Sequence, residues 1–168
     1  MGGNVQRLPA TVKRPPAIAI ESALPFREHR MTDTNARVRS RADLQRYLDH
    51  FNHREYEQQI EFYAPDVLYK VGTLTITSPR GIAEFYADFH EHCREHVEIA
   101  QFALDGDSCA VVMPSRFEPF RDYRKHGLTF ETGKLVEFVS FIFYSLQEGK
   151  IRRIRVARYA GSAADFRG

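Results

Sequence analysis

Tryptophan is absent from the 168 residues, and cysteine occurs twice, as Cys93 and Cys109. Two unpatterned cysteines do not make a disulfide framework or a zinc knuckle, and both are expected as buried thiols. No stretch approaches the eighteen consecutive apolar residues that span a bilayer. The apolar AIAI at 17–20 is interrupted by Pro15, Pro16 and Glu21 and does not read as a secretory segment, so the expected location is the cytoplasm, away from membranes. HExxH and any closed Cys or His cluster are missing, which argues against a metal site. Glycine-rich phosphate or dinucleotide loops and the G-x-S-x-G elbow are missing as well. Neither a cofactor nor covalent serine hydrolysis is therefore expected.

Basic charge is scarce where a nucleic-acid-binding domain would need it. Net charge is +2, but residues 1–39 carry seven Arg or Lys against three acids, which leaves the rest of the chain at −2. A fold that grips nucleic acid carries a clustered basic patch. Here only an extension is basic, and no nucleic-acid partner is expected.

Apolar and aromatic residues are plentiful. Hydrophobic residues make up 43% and charged residues 27%, with thirteen Phe and eight Tyr, the composition of one soluble domain with a sizeable core. Residues 1–38 read as an N-terminal extension. It is either a disordered leader or an ordered arm in which Ile18, Ile20, Leu24 and Phe26 cover the domain or a partner subunit, and Met31 offers an alternative start. The domain is expected at 39–160, with a tail at 161–168.

From Ser40 the pattern becomes periodic. Leu44, Tyr47, Leu48 and Phe51 recur at helical spacing behind Ser40 as N-cap and Asp43 as its reciprocal partner. Tyr56, Ile60 and Tyr63 continue on a second helix that is expected to stop before Pro65. VLYKV (67–71) and LTITS (74–78) read as short strands, and a third helix is expected from about Ile82 to Glu95. Strands at 96–104, 108–120 and 134–147 follow, the second bulged or at an edge near Pro114 and Pro119, and a polar loop separates the last two. Glu148-Gly149 then turns into KIRRIRVARY (150–159). Helices followed by an antiparallel meander give an α+β class. FVSFIFY (138–144) is apolar at nearly every position, which implies cover on both faces of its strand, by a second subunit or by the arm.

The order of these elements, with RYLDHFN (46–52), FYAPDV (62–67), GIAEFYADF (81–89) and EGKI (148–151), resembles the nuclear transport factor 2-like superfamily over about residues 40–160. That superfamily includes SnoaL-like polyketide cyclases, ketosteroid isomerases and scytalone dehydratases. The resemblance implies a cystatin-like cone, three N-terminal helices packed in a highly curved antiparallel sheet around a deep apolar cavity, and homodimers formed through the sheet face. Aligned with ketosteroid isomerase, Tyr47 falls on the oxyanion-hole tyrosine and Tyr63 and Tyr86 on its network partners. The two catalytic aspartates have no counterpart: one position falls near Val71, the other within FVSFIFY. Ile154, Val156 and Arg158 fall on positions facing the cavity, and Arg158 stands where SnoaL-like cyclases tend to place an acid. Arg158 is accordingly the expected contact for an anionic group of the ligand.

The residues themselves suggest further candidates. Tyr47, Tyr63 and Tyr86 sit on inner faces of the expected helices, where linked hydroxyls can stabilise a developing oxyanion or simply hydrogen-bond a carbonyl in the core. Asp66 is a buried base or a turn residue. His90, one turn after Tyr86, has the chemistry of a general base. Arg116 and Glu118 share one strand face, binding substrate if it points inward and forming a surface ion pair if outward. Under the two-residue period Arg152, Ile154, Val156 and Arg158 share one face of the last strand, and Ile151, Arg153 and Arg155 the other. These readings converge on a cofactor-independent isomerase, cyclase or dehydratase that acts on a small apolar carbonyl compound by proton abstraction and oxyanion stabilisation. The alternative is a non-catalytic ligand-binding or dimerisation module of the same shape.

Overall fold

The computed structural model describes residues 36–166. Of the expected arm only Ala36–Val38 fall within that range, so Ile18, Ile20, Leu24 and Phe26 lie outside the described residues. Those last three residues belong to the domain itself: Ala36 and Val38 join its core, and the Val38 N–H donates to the Gly149 carbonyl at 2.7 Å.

Helix α1 (Arg41–Asn52) starts where its cap chemistry places it. The Ser40 hydroxyl accepts from the Asp43 N–H, and the Asp43 carboxylate accepts from the Arg39 N–H. Leu44, Tyr47, Leu48 and Phe51 form its buried stripe, as their spacing requires. Helix α2 is shorter than its pattern suggests, covering only Tyr56–Ile60, and Tyr63 opens strand β1 (Tyr63–Val71) instead of closing the helix. Pro65 thus sits inside a strand. The pairing of β1 changes register between Tyr63 and Leu68, where a missing N–H interrupts no regular ladder.

After β2 (Leu74–Ile76), helix α3 runs from Pro79 to His90, with Ser78 as N-cap and Pro79 in its first turn. It ends five residues before the expected Glu95. The segment CREHV is strand β3 (Cys93–Val97), with Cys93 and Val97 buried. The expected strand at 96–104 is split, since β4 (Gln101–Asp105) follows a break at 98–100, and both pieces pair with β5 (Ser108–Pro119). Pro114 explains the break. Its carbonyl accepts from the Glu98 N–H, so its donorless nitrogen also faces the gap between β3 and β4. On its other side β5 pairs with β8 (Val136–Gln147) in unbroken register from Ser108 to Phe117, so β5 is an interior strand without a bulge.

The expected polar loop contains a hairpin, β6 (Tyr123–Lys125) and β7 (Leu128–Phe130), turned by His126 and Gly127 at positive φ. A second turn of this kind, Glu148-Gly149, joins β8 to β9 (Lys150–Tyr159). The main sheet has the order β2-β1-β9-β8-β5-β3, with β4 also on β5. Every pair is antiparallel except β1 with β9, which is parallel. Between Ser145 and Leu146 the β8–β9 register shifts, and this rotates the start of β9. Ile151 is therefore buried, not on the outer face, while Arg152 turns out to meet Asp66.

The sheet curves around α1 and α3. Its concave face carries Tyr69, Ile154, Tyr144, Cys109 and Met113 against the helix stripes. Both cysteines are buried and free. The convex face of β8 is only partly covered. Phe166, in a short 3₁₀ turn (Ala163–Phe166), packs on Phe141 and Tyr159, yet Phe141 and Phe143 remain 41% and 39% exposed. No helix among the described residues is long and apolar enough to cross a membrane.

Candidate active site

A cavity of about 460 Å³ lies between the concave face of the sheet and helices α1 and α3, within the size range of small-molecule sites. Its wall is largely aromatic and aliphatic. Among the described residues that line it, Glu95 is the one acid, and Lys70 and Arg158 are the cations. The β6–β7 hairpin contributes Leu128 and Phe130, so the segment read as a polar loop forms part of the wall.

Glu95 reaches the cavity because α3 stops at His90 and the chain returns as β3. The Glu95 carboxylate is almost wholly buried, and its Oε2 lies 3.3 Å from His90 Nε2. His90 is buried too, and its Nδ1 is 2.7 Å from the Tyr56 hydroxyl. When the Tyr56 O–H donates to Nδ1, the proton on Nε2 is directed at Glu95. An imidazolium donates to Glu95 equally. Burial pushes the Glu95 carboxyl above the usual carboxylate range, and His90 opposes that push. The Tyr56 hydroxyl is raised to about 12, first by burial.

Two tyrosine pairs line the same cavity. The hydroxyls of Tyr47 and Tyr63 are 2.8 Å apart, and Gln59 Nε2 donates to Tyr63 at 3.1 Å. Tyr69 and Tyr86 form the second pair at 2.9 Å. Each pair holds two hydroxyl protons and shares one hydrogen bond. One proton per pair is therefore left without an acceptor among the described residues and is available to a ligand oxygen. Burial raises the pKa of all four hydroxyls, as it does that of Tyr144, which also lines the cavity. They are consequently donors and not bases. The nearby Glu95 charge adds to the upward push on Tyr47, Tyr69 and Tyr86.

The sequence candidates divide. Tyr47, Tyr63, Tyr86 and Arg158 line the cavity, but Tyr86 pairs with Tyr69 instead of joining Tyr47 and Tyr63 in one network. His90 stands behind Glu95 and is not a lining residue. Asp66 is exposed and bound by Arg152 at 2.8 Å, outside the cavity. Arg116 and Glu118 point outward: Arg116 lies 2.7 Å from Glu118 and 3.7 Å from Glu137 on the surface, while Ser115 and Phe117 of the same strand face in. Sequence reasoning missed Glu95, Tyr69, Tyr144 and Gln59. The alternation of Cys93, Glu95 and Val97 was a usable signal, obscured by the helical pattern that precedes it. Among the described residues no group of three or more His, Cys, Asp or Glu is placed to hold a metal ion.

The model of the SnoaL-like domain family matches residues 44–154. The fold is shared with several solved structures. A SnoaL-like polyketide cyclase from Agrobacterium tumefaciens is 19% identical, with a TM-score of 0.58 over 70% of this chain and 88% of that one. An LEH-like epoxide hydrolase from Mycobacterium tuberculosis is 14% identical, with a TM-score of 0.56 over 73% and 84%. TsrD from Streptomyces laurentii is 11% identical, with a TM-score of 0.58 over 71% and 90%. No curated protein sequence matches the chain. Cyclase and epoxide hydrolase share one scaffold here, so the reaction has to be argued from the residues of the cavity.

Proposed function

Because this chain belongs to the SnoaL-like domain family, whose model covers residues 44–154, we propose that its cavity catalyses proton transfer at a carbon next to a carbonyl in a small apolar substrate. The observation that carries this is Glu95, a buried carboxylate held by His90 within a wall that also presents spare tyrosine protons. In the proposed reaction Glu95 removes the α-proton. The electron pair of the broken C–H bond moves onto the carbonyl oxygen, and a tyrosine hydroxyl donates to the resulting oxyanion. Protonated Glu95 then returns the proton. Delivery to another carbon completes an isomerisation, delivery to a newly formed alkoxide completes a cyclisation, and delivery to a departing hydroxyl completes a dehydration. His90 positions the carboxylate. Arg116, Glu118 and Asp66 take no part in this scheme.

Deuterium exchange tests the reading without knowledge of the final product. A panel of small ring-bearing ketones in D₂O, followed by proton NMR, should lose α-protons faster with the protein than in buffer, and Glu95→Gln should return the rate to that of buffer. Exchange that survives Glu95→Gln overturns the assignment. Absence of exchange with every ketone favours ligand binding alone. We also propose that two copies associate through the convex face of β8, where Phe141 and Phe143 are exposed.

A further inference from the structure

We infer that the mouth of the cavity is a carboxylate-recognition subsite built by Arg158, Ser140 and Ser115, and that the substrate is an apolar ring compound bearing a carboxylate. The inference deepens the proposed function and rests on the same cavity being its substrate site.

Three adjacent strands bring these residues together. Arg158 on β9 lies directly opposite Ser140 on β8, and Ser115 on β5 lies directly opposite Phe138. The Arg158 guanidinium carbon sits 3.8 Å from the centroid of that same Phe138 ring. Arginine, phenyl ring and two hydroxyls thus form one continuous patch, and all four residues line the cavity.

Both serines are buried, Ser140 at 3% exposure and Ser115 at 8%, yet neither side chain hydrogen-bonds any described residue. Their hydroxyl oxygens are not sealed in the core but open into the cavity, where a ligand can supply the partner. Arg158 is equally uncommitted: it makes no ion pair or hydrogen bond with a described residue, whereas Arg152 of the same strand is bound to Asp66. With its carbon held over the ring and no ion pair or hydrogen bond to a described residue, the guanidinium has N–H groups free to bind a carboxylate through two parallel hydrogen bonds. One guanidinium with two neutral hydroxyls balances a single negative charge. Phe138 in turn stacks on Phe117 at 5.0 Å, so an apolar platform adjoins the charged group, as an aromatic or alicyclic acid requires. The arrangement also fixes direction: the carboxylate stays at the mouth and the ring system points toward Glu95 and the tyrosines.

The test is equilibrium binding of 2-naphthoate, 2-anthracenecarboxylate and their methyl esters, followed by ligand fluorescence, which a chain without tryptophan leaves clear of indole emission. Wild type should bind at least one acid tenfold or more tighter than its ester. Arg158→Gln should bring the affinity for the acid down to that for its ester, and Ser115→Ala with Ser140→Ala should weaken the acid several-fold. Equal affinity for acids and esters, binding of neither, or an undiminished preference in Arg158→Gln overturns the subsite. Tighter binding of 2-naphthyl phosphate than of 2-naphthoate overturns the carboxylate assignment. Circular dichroism of each variant reports folding, and Arg158 is exposed, so its replacement leaves the core intact. The two proposals fail separately. Acid preference without α-proton exchange removes the catalytic reading alone, and exchange without acid preference removes the subsite alone.

Discussion

Glu95 Oε2 lies 3.3 Å from His90 Nε2 with both side chains buried, and this contact ties the end of α3 to the wall of the cavity. Two neutral groups could have filled the space more cheaply. A buried carboxylate costs free energy that its partner only partly returns, and it is this cost that makes Glu95 the candidate on which the proposed reaction rests.

Glu95→Gln should lower the proton-transfer rate by about 10²–10⁴-fold, the usual contribution of a general base. Wild-type activity should rise with pH through a limb set by Glu95, above the ordinary carboxylate range because burial raises its pKa. The pH–rate profile of the variant should lack that limb. The stability effect has the opposite sign: the folded state holds the Glu95 proton to higher pH than the unfolded chain, so stability declines as pH rises from the ordinary carboxylate value through the raised one. Urea melts across that range should show the decline in wild type and its absence in Glu95→Gln.

His90→Leu removes the donor to Oε2. Both effects of His90 on Glu95 lower its pKa, so the acidic limb should move to higher pH in the variant while the maximal rate falls less than in Glu95→Gln. Unfolding free energy should drop by about 1–3 kcal/mol for the unpaired carboxylate. His90→Gln, which can still donate, should restore part of the limb's original position. A merely structural histidine would change stability without moving the limb.

Tyr47→Phe and Tyr86→Phe each delete one hydroxyl from a pair and with it the hydrogen bond that orients the remaining hydroxyl. The pair that serves the oxyanion should lose about 10²-fold in kcat with KM little changed. The other should lose little. Equal, small effects in both would place oxyanion stabilisation elsewhere.

Gly72→Ala tests how the β6–β7 hairpin is seated over the cavity. Gly72 has φ +55°, and a Cβ there would lie 2.1 Å from the His126 carbonyl oxygen, which accepts from the Thr73 N–H. The left-handed conformation alone costs about 1–2 kcal/mol for a residue other than glycine, and the clash adds to it. A lower melting temperature and weaker ligand binding should appear together, since Leu128 and Phe130 move with the hairpin.

Sedimentation of the double variant Phe141→Lys, Phe143→Lys against wild type tests the convex face. Wild type should sediment as a dimer and the variant as a folded monomer. Dimers in both would move the interface elsewhere.

Local chemistry determined much of this protein from the sequence by itself. The Ser40 cap, the apolar stripe of α1 and the Glu148-Gly149 turn all follow from rules that reach only a few residues along the chain. The α+β class and the family resemblance rest on the order of such local signals. What only the tertiary structure decided are the contacts between segments far apart in sequence. Alternation alone could not tell whether Arg116 or Ser115 faced inward, because parity depends on the register that β5 keeps with β8 through Pro114. Asp66 and Arg152 are turned away from the cavity by two register shifts, one on each side of β9. Glu95 was hidden for a related reason. Helical periodicity continues past His90, and it is the pairing of Cys93–Val97 with β5 that converts the next residues into a strand and turns one glutamate toward the cavity. That pairing joins segments about twenty residues apart, beyond the reach of any local pattern.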